Sequence, residues 1–150
     1  PIRFIMDHRI FRTPIISFIF RHSRAIPIAP AKEDPEMMEK AFAEAGKALD
    51  EGELVGIFPE GRITDTGELY PFRPGITRIL ERNPVPVIPL ALQGLWGSFF
   101  SRKEGTAMTK PFRRGLFSKI AVVGAPPIAP AEATPERLQG VVQELRGDWR

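Results

Sequence analysis

The residues best suited to chemistry stand together near the middle of the chain. An apolar run, Leu54 to Phe58, stops at Pro59 and is followed at once by Glu60, Gly61 and Arg62. Arg62 offers a planar fork of donors that suits a phosphate or a carboxylate. Gly61 lets the backbone turn with positive φ or come close to a ligand. Glu60 can hold that guanidinium in place or accept a hydrogen bond from a substrate hydroxyl, and Pro59 stiffens the approach. The corner reads as a phosphate site. The plainer alternative is a structural turn closed by a Glu60–Arg62 ion pair.

In open α/β sheets, ligands bind beyond the carboxyl ends of strands, where a loop leaves toward a helix. The elements around the corner supply such an end. Residues 2–6 read as a short strand, and Thr13-Pro14 as the cap and first turn of a helix running to about Phe20. Residues 25–28 are a second short strand. Asp34-Pro35-Glu36 opens a helix whose Met38, Phe42, Ala45 and Leu49 recur on one face, and Gly52 ends it. Residues 54–58 follow as a strand apolar on both faces, which predicts a central position. Pro74 starts a short helix with Ile76, Ile79 and Leu80 inward, ending at Asn83-Pro84. "VPVIPLAL", residues 85–92, predicts a buried strand despite its prolines. Residues 119–124 are a further strand, and Thr134-Pro135 opens a last helix with Leu138, Val141, Val142 and Leu145 inward. Strands alternating with helices predict an α/β fold around a mostly parallel or mixed sheet flanked by helices.

A chain of 150 residues, 43% hydrophobic and 26% charged, is expected to form a single domain spanning residues 1–150. It opens on proline directly into the apolar "IRFIM", and is expected to be a piece of a longer chain, beginning mid-domain. The absence of cysteine excludes disulfides and thiolate chemistry, and two unclustered histidines imply no metal. The apolar stretch "TPIISFIF" between Arg12 and Arg21 is far short of the roughly 20 residues that span a bilayer. Charge is uneven: five arginines against Asp7 in residues 1–24, eight acids against three lysines in 32–53, six bases against Glu104 in 102–119. Basic blocks of this kind suggest a face that meets anions.

"FPEGR" after an apolar strand, with "VPVIPLAL" some 25 residues later, resembles the glycerophospholipid acyltransferase family, which includes the 1-acylglycerol-3-phosphate acyltransferases. Its third block has the form F-P-E-G-(T/S)-R, and its fourth is an apolar strand with prolines where this chain has Pro86 and Pro89. The resemblance runs over roughly residues 1–128, and "LWGSFFSRK" looks like the bacterial members that are one part of a larger fused protein. It implies that Glu60, Gly61 and Arg62 bind the acceptor's phosphate. Phe58 and Pro59 would shape that wall, and Pro89 would line the acyl or thioester channel. Two departures stand out. Arg62 follows Gly61 directly, with no Thr or Ser between. In the second block Arg24 occupies the glycine position and Pro30 the arginine position, leaving Arg24 or Lys32 to replace the missing phosphate contact.

The family's reaction resembles acyl transfer from a coenzyme A or acyl-carrier-protein thioester to a glycerol hydroxyl, with the histidine of an H-x-x-x-x-D block as general base. Five residues beyond His8 is Thr13, and five beyond His22 is Pro27, so neither forms the block. The resemblance places it before Pro1, and both histidines are expected to be ordinary polar residues at the surface or beside acids. No catalytic residue is assigned within the chain, which alone is expected to be inactive, and no cofactor is implied beyond the thioester co-substrate. The implied partners are a lysophospholipid acceptor, an acyl thioester and an anionic membrane surface. The last is met by the loop 96–119, where Trp96, Phe99, Phe100, Phe112 and Phe117 interleave with bases. The expected location is the cytoplasmic side of a membrane, peripherally or within a larger membrane protein. The rival reading is a non-catalytic module binding anionic lipid or phosphate. A nucleic-acid partner is not expected: the chain carries no motif of that class, and its acidic helix 35–51 would repel a phosphate backbone.

Overall fold

The computed structural model describes residues 2–12, 22–98, 102–103 and 119–149. The helix expected over 14–20 and most of the basic, aromatic loop lie outside them. Contacts divide the chain into two compact units, residues 1–59 with 74–85 and residues 60–73 with 86–150. The F-P-E-G-R run crosses from one unit to the other between Pro59 and Glu60.

The first unit is built on three parallel strands, β1 (Ile2–Asp7), β2 (Ile26–Ile28) and β3 (Leu54–Ile57), in the order β2-β1-β3. Ile5 faces Ile26 on one side and Ile57 on the other. Parallel neighbours need a crossover, and the helix α1 (Pro35–Asp50) supplies it between β2 and β3. Its start follows from the sequence: the Asp34 side chain accepts from the Met37 N–H at 2.9 Å, and Pro35 occupies the first turn, where no amide is needed. Phe42 and Ala45 are buried with Ile5 and Ile26, while Met38 and Leu49 pack at the margin, so the expected apolar face is the core face. A second helix, α2 (Gly75–Arg82), adds Ile79 to that core. Each such aliphatic side chain contributes about 1.5–3 kcal/mol when fully buried.

Among the described residues the strand expected at the centre is an edge: β1 is the middle strand, and Leu54 on β3 is 60% exposed. The outer face of β1 and β3 carries Ile2, Phe4, Leu54 and Phe58, all exposed. Phe4 pairs with Gly56, whose missing side chain makes room: a Cβ there would lie 2.6 Å from the Phe4 ring. The ring stacks on Phe58 with centroids 5.9 Å apart, which fixes the end of β3.

A buried arginine ties β1 to its surroundings. Arg3 points inward, donates Nε–H to the Arg24 carbonyl at 3.0 Å, and pairs with Glu44 and with Glu53. Arg24 has φ +55, the left-handed region that suits the glycine which the resemblance implies for this position. Its own side chain is held by Glu53 at 2.5 Å and so is not free to replace a phosphate contact. Lys32 sits exposed in the turn before α1.

The second unit pairs β4 (Leu90–Gln93) with β5 (Ala121–Gly124) in antiparallel register, and the helix α3 (Pro135–Arg146) packs on them. Thr134 caps α3 by accepting from the Arg137 N–H at 3.3 Å. Leu138 is buried and Val141, Val142 and Leu145 half-buried, as the sequence pattern requires. The strand expected over 85–92 is shorter and less buried than its composition suggests. Val87 makes an isolated bridge to Ile128, continuous pairing begins only at Leu90, and Ile88, Leu90 and Leu92 are exposed. Proline accounts for the shortening, since Pro86 and Pro89 have no N–H to give a ladder. Fold class is as expected: α/β, with a parallel sheet flanked by helices. Among the described residues no helix is long and apolar enough to cross a membrane.

Arg24 yields a stability test. Arg24→Ala keeps the left-handed strain and loses the exposed ion pair, worth at most about 1 kcal/mol. Arg24→Gly loses the same pair but relieves strain of roughly 1–2 kcal/mol. Urea titration is expected to find the glycine variant the more stable of the two. Equal midpoints, or a more stable alanine variant, would show that the turn carries no strain.

Candidate functional site

The loop from Glu60 to Arg73 contains no helix or strand and is shaped by its own side chains. Glu60 is half-buried, and its Oε2 accepts the Tyr70 backbone N–H at 2.9 Å, closing the loop across ten residues. Burial raises its pKa above the ordinary carboxylate value, while that amide and the Arg146 charge pull it back in part. The Glu60–Arg62 ion pair of the plainer reading does not form. Arg62 instead lays its guanidinium over the Tyr70 ring, Cζ 3.5 Å from the centroid. The Tyr70 hydroxyl donates to Asp65, and this bond lowers the Asp65 pKa and raises that of the phenol.

Gly61 has φ +66, so the turn that exposes the corner uses the freedom only glycine has cheaply. A Cβ there would also lie 3.0 Å from Arg73 Nε and 3.1 Å from its Cζ. The Arg73 guanidinium therefore rests against the bare backbone of the turn.

Helix α3 braces the far side of the loop. Arg146 is buried, donating to the Gly67 carbonyl and to Glu68, each at 2.8 Å. Gln139 accepts the Phe72 N–H at 3.1 Å. In turn Gln93 of β4 donates to the Leu145 and Arg146 carbonyls at 2.7 and 3.1 Å, satisfying the open end of α3.

Of the residues the sequence singled out, Glu60, Gly61 and Arg62 gather with Tyr70 and Arg73 in the second unit. Phe58 and Pro59 end β3 in the first unit, with Phe58 on Phe4. Pro89 is buried at the start of β4, its carbonyl accepting the Ala125 N–H at 3.1 Å. His8 is nearly buried after β1, with Nε2 3.3 Å from Glu33 and Nδ1 3.6 Å from Asp7, and His22 is exposed. Tyr70, Arg73 and Arg146 escaped the sequence reading. Tyr70 is placed by its main-chain amide on Glu60, Arg73 by the bare backbone of Gly61 and Arg146 by residues far away in sequence, none of which has a local side-chain signature.

The chain belongs to the Acyltransferase family, whose pattern it matches over residues 1–93. It is similar to the 1-acyl-sn-glycerol-3-phosphate acyltransferase of Bacillus subtilis (strain 168), 30% identical over 93 residues, 62% of this chain and 44% of that protein. It is also similar to the alpha form of the enzyme from Mus musculus, 28% identical over 92 residues, 61% of this chain and 30% of that protein. In fold it resembles the crystal structure of the 1-acyl-sn-glycerophosphate acyltransferase PlsC from Thermotoga maritima, with a TM-score of 0.64 at 18% identity over 99% of this chain and 58% of that one. The chain spans less than half the length of the curated relatives it matches.

The Glu60 environment fixes the sign of a pH effect. A carboxyl whose folded pKa is raised favours the protonated fold, so its contribution is fully present below the unfolded pKa and lost as pH rises through the folded one. Glu60→Gln keeps an acceptor for the Tyr70 amide without the charge. Relative to that variant, the parent is expected to lose stability as pH rises through the mildly acidic range. Parallel stability–pH curves would contradict the assignment.

Proposed function

We propose that the chain serves an acyltransferase moving a fatty acyl group from acyl-coenzyme A or acyl-carrier protein to a lysophospholipid such as 1-acylglycerol-3-phosphate. The observation that carries this reading is an exposed Arg62 guanidinium with no carboxylate within ion-pair distance among the described residues, at a glycine turn inside the family match. In the reaction the acceptor's free hydroxyl oxygen attacks the thioester carbonyl, the hydroxyl proton passes to a base, and the thiol leaves. Arg62 holds the acceptor phosphate, Gly61 lets it approach the backbone, and Glu60 keeps the loop closed. The base in this reading is the histidine of an H-x-x-x-x-D block, which neither His8 nor His22 forms, since Thr13 and Pro27 stand where the block needs its aspartate. The thioester is a co-substrate, and the reading needs no resident cofactor or metal.

Release of free thiol from acyl-coenzyme A or acyl-carrier protein, with lysophosphatidate present, tests this. The 150-residue chain is expected to give none, and a longer chain bearing the block is expected to turn over. There, Arg62→Ala should raise the acceptor KM by roughly one to two decades, the value of a charge-assisted contact of about 1.5–3 kcal/mol, with little change toward the donor. Binding of the acceptor without turnover by the longer chain would instead favour the non-catalytic phosphate-binding module.

The reading extends to an anionic membrane surface on the cytoplasmic side, with the protein peripheral or part of a larger membrane protein. Its support is the basic, aromatic composition of residues 96–119. The chain is expected to sediment with anionic vesicles more than with neutral ones. Each base near the surface adds roughly 1 kcal/mol, screened within a Debye length. Replacing Lys110, Arg113 and Arg114 with glutamine should imitate high salt. Tighter binding to a single-stranded oligonucleotide at equal salt would overturn the membrane reading.

A further inference from the structure

The loop from Glu60 to Arg73 contains three acids and two arginines, and their engagements differ. Glu60 is bound to the Tyr70 amide, Asp65 to the Tyr70 hydroxyl, and Glu68 to Arg146. Neither Arg62 nor Arg73 has a carboxylate within ion-pair distance among the described residues. Arg82 and Arg102 also lack one, whereas Arg3, Arg9, Arg24, Arg78, Arg137 and Arg146 are paired; the two loop arginines differ from Arg82 and Arg102 in flanking one glycine turn. Both loop arginines are exposed, and each is held in place by something other than charge. Arg62 lies on the Tyr70 ring and Arg73 on the uncovered backbone of Gly61. Asp65 acts on Arg62 only at longer range, past the Tyr70 ring. Two oriented guanidinium forks with no direct ion pair, at one glycine turn, suit a ligand bearing two negative charges.

We infer that Arg73 is a second phosphate-binding residue, and that Arg62 and Arg73 together select a phosphate monoester, as its dianion, over a phosphodiester head group. The inference rests on the reading of Arg62 as the acceptor's phosphate contact and adds to it both a residue and a head-group specificity. A phosphodiester carries one charge and has one oxygen covered by its second ester, so it can engage only part of such a pair. A monoester loses its second charge as pH falls through about 6. Selectivity over the diester therefore declines there.

The test is calorimetric titration of the full 150-residue chain with glycerol 3-phosphate, glycerophosphoglycerol and inorganic phosphate. The parent is expected to prefer glycerol 3-phosphate to the diester, and to bind inorganic phosphate more weakly if the glycerol is also read. Arg73→Gln is expected to weaken the monoester by roughly tenfold or more and bring it level with the diester. Arg73→Lys, which retains the charge and an aliphatic stem against Gly61, should recover part of the loss and carries the test if the glutamine variant is unfolded by far-UV spectroscopy. If Arg73→Gln binds the monoester like the parent while Arg62→Gln has lost it, Arg73 is a bystander and the reading of Arg62 stands. If Arg62→Gln leaves binding unchanged, or the parent binds no monoester, the reading of Arg62 fails and this inference with it. An equal loss for monoester and diester in Arg73→Gln would overturn the head-group specificity.

Discussion

The hydrogen bond from the Tyr70 amide to the Glu60 carboxylate is the contact on which the second unit's loop depends. A loop of this length with no strand or helix has a substantial entropy of closure, which something must offset. Here one half-buried acceptor brings the two ends of the turn together. Once Tyr70 is fixed, its ring becomes the platform for Arg62 and its hydroxyl engages Asp65. The buried Arg146 fork on Gly67 and Glu68 then sets the middle of the loop against α3. The rigidity of the corner is thus borrowed from a helix more than 70 residues away in sequence.

The molecule uses arginine in two opposed ways. Arg3 and Arg146 are almost wholly buried, at 6% and 7% exposure, and each is surrounded by carboxylates and backbone carbonyls. An unpaired buried guanidinium would cost several kcal/mol, so these residues exist only with their partners and serve to cross-link segments. Arg62 and Arg73 remain in water, where a charge without a direct ion pair costs little, and they rest on an aromatic face and a glycine backbone, with Asp65 acting on Arg62 only at longer range. Such seats orient a guanidinium without a direct salt bridge. That is the condition a binding residue needs and a structural one does not.

Much of the fold could be read from local signals because those signals are local in cause. Asp34-Pro35 caps α1, its apolar residues recur at helical spacing, and Thr134-Pro135 does the same for α3. Neighbour relations were less legible. The apolar run 54–58 suggested a central strand, yet its place depends on which strand β1 accepts on its far side, and periodicity does not encode that. In "VPVIPLAL" composition spoke for burial, and the missing amides of two prolines decided the pairing. At the site, residue type located Glu60, Gly61 and Arg62. Their division of labour was hidden: residue type offered Glu60 as a partner of Arg62 or an acceptor for a substrate hydroxyl, and it accepts a backbone amide.

That division explains why a carboxylate can stand beside a phosphate-binding corner at all. An acid facing the ligand would repel it and cancel one guanidinium. Glu60 is turned toward the Tyr70 amide, half-buried, with the Arg146 charge within electrostatic reach. Its charge is thereby spent inside the loop, and Asp65 and Glu68 are likewise engaged within the unit. The turn at Gly61 completes the separation. Its positive φ carries the chain from the acid to Arg62 in a single residue, and its missing Cβ gives Arg73 a seat on the backbone. Any larger residue at 61 would strain the turn and displace Arg73 together. The order of acid, glycine and base along the chain is the shortest sequence that can put an anchoring charge inward and a binding charge outward.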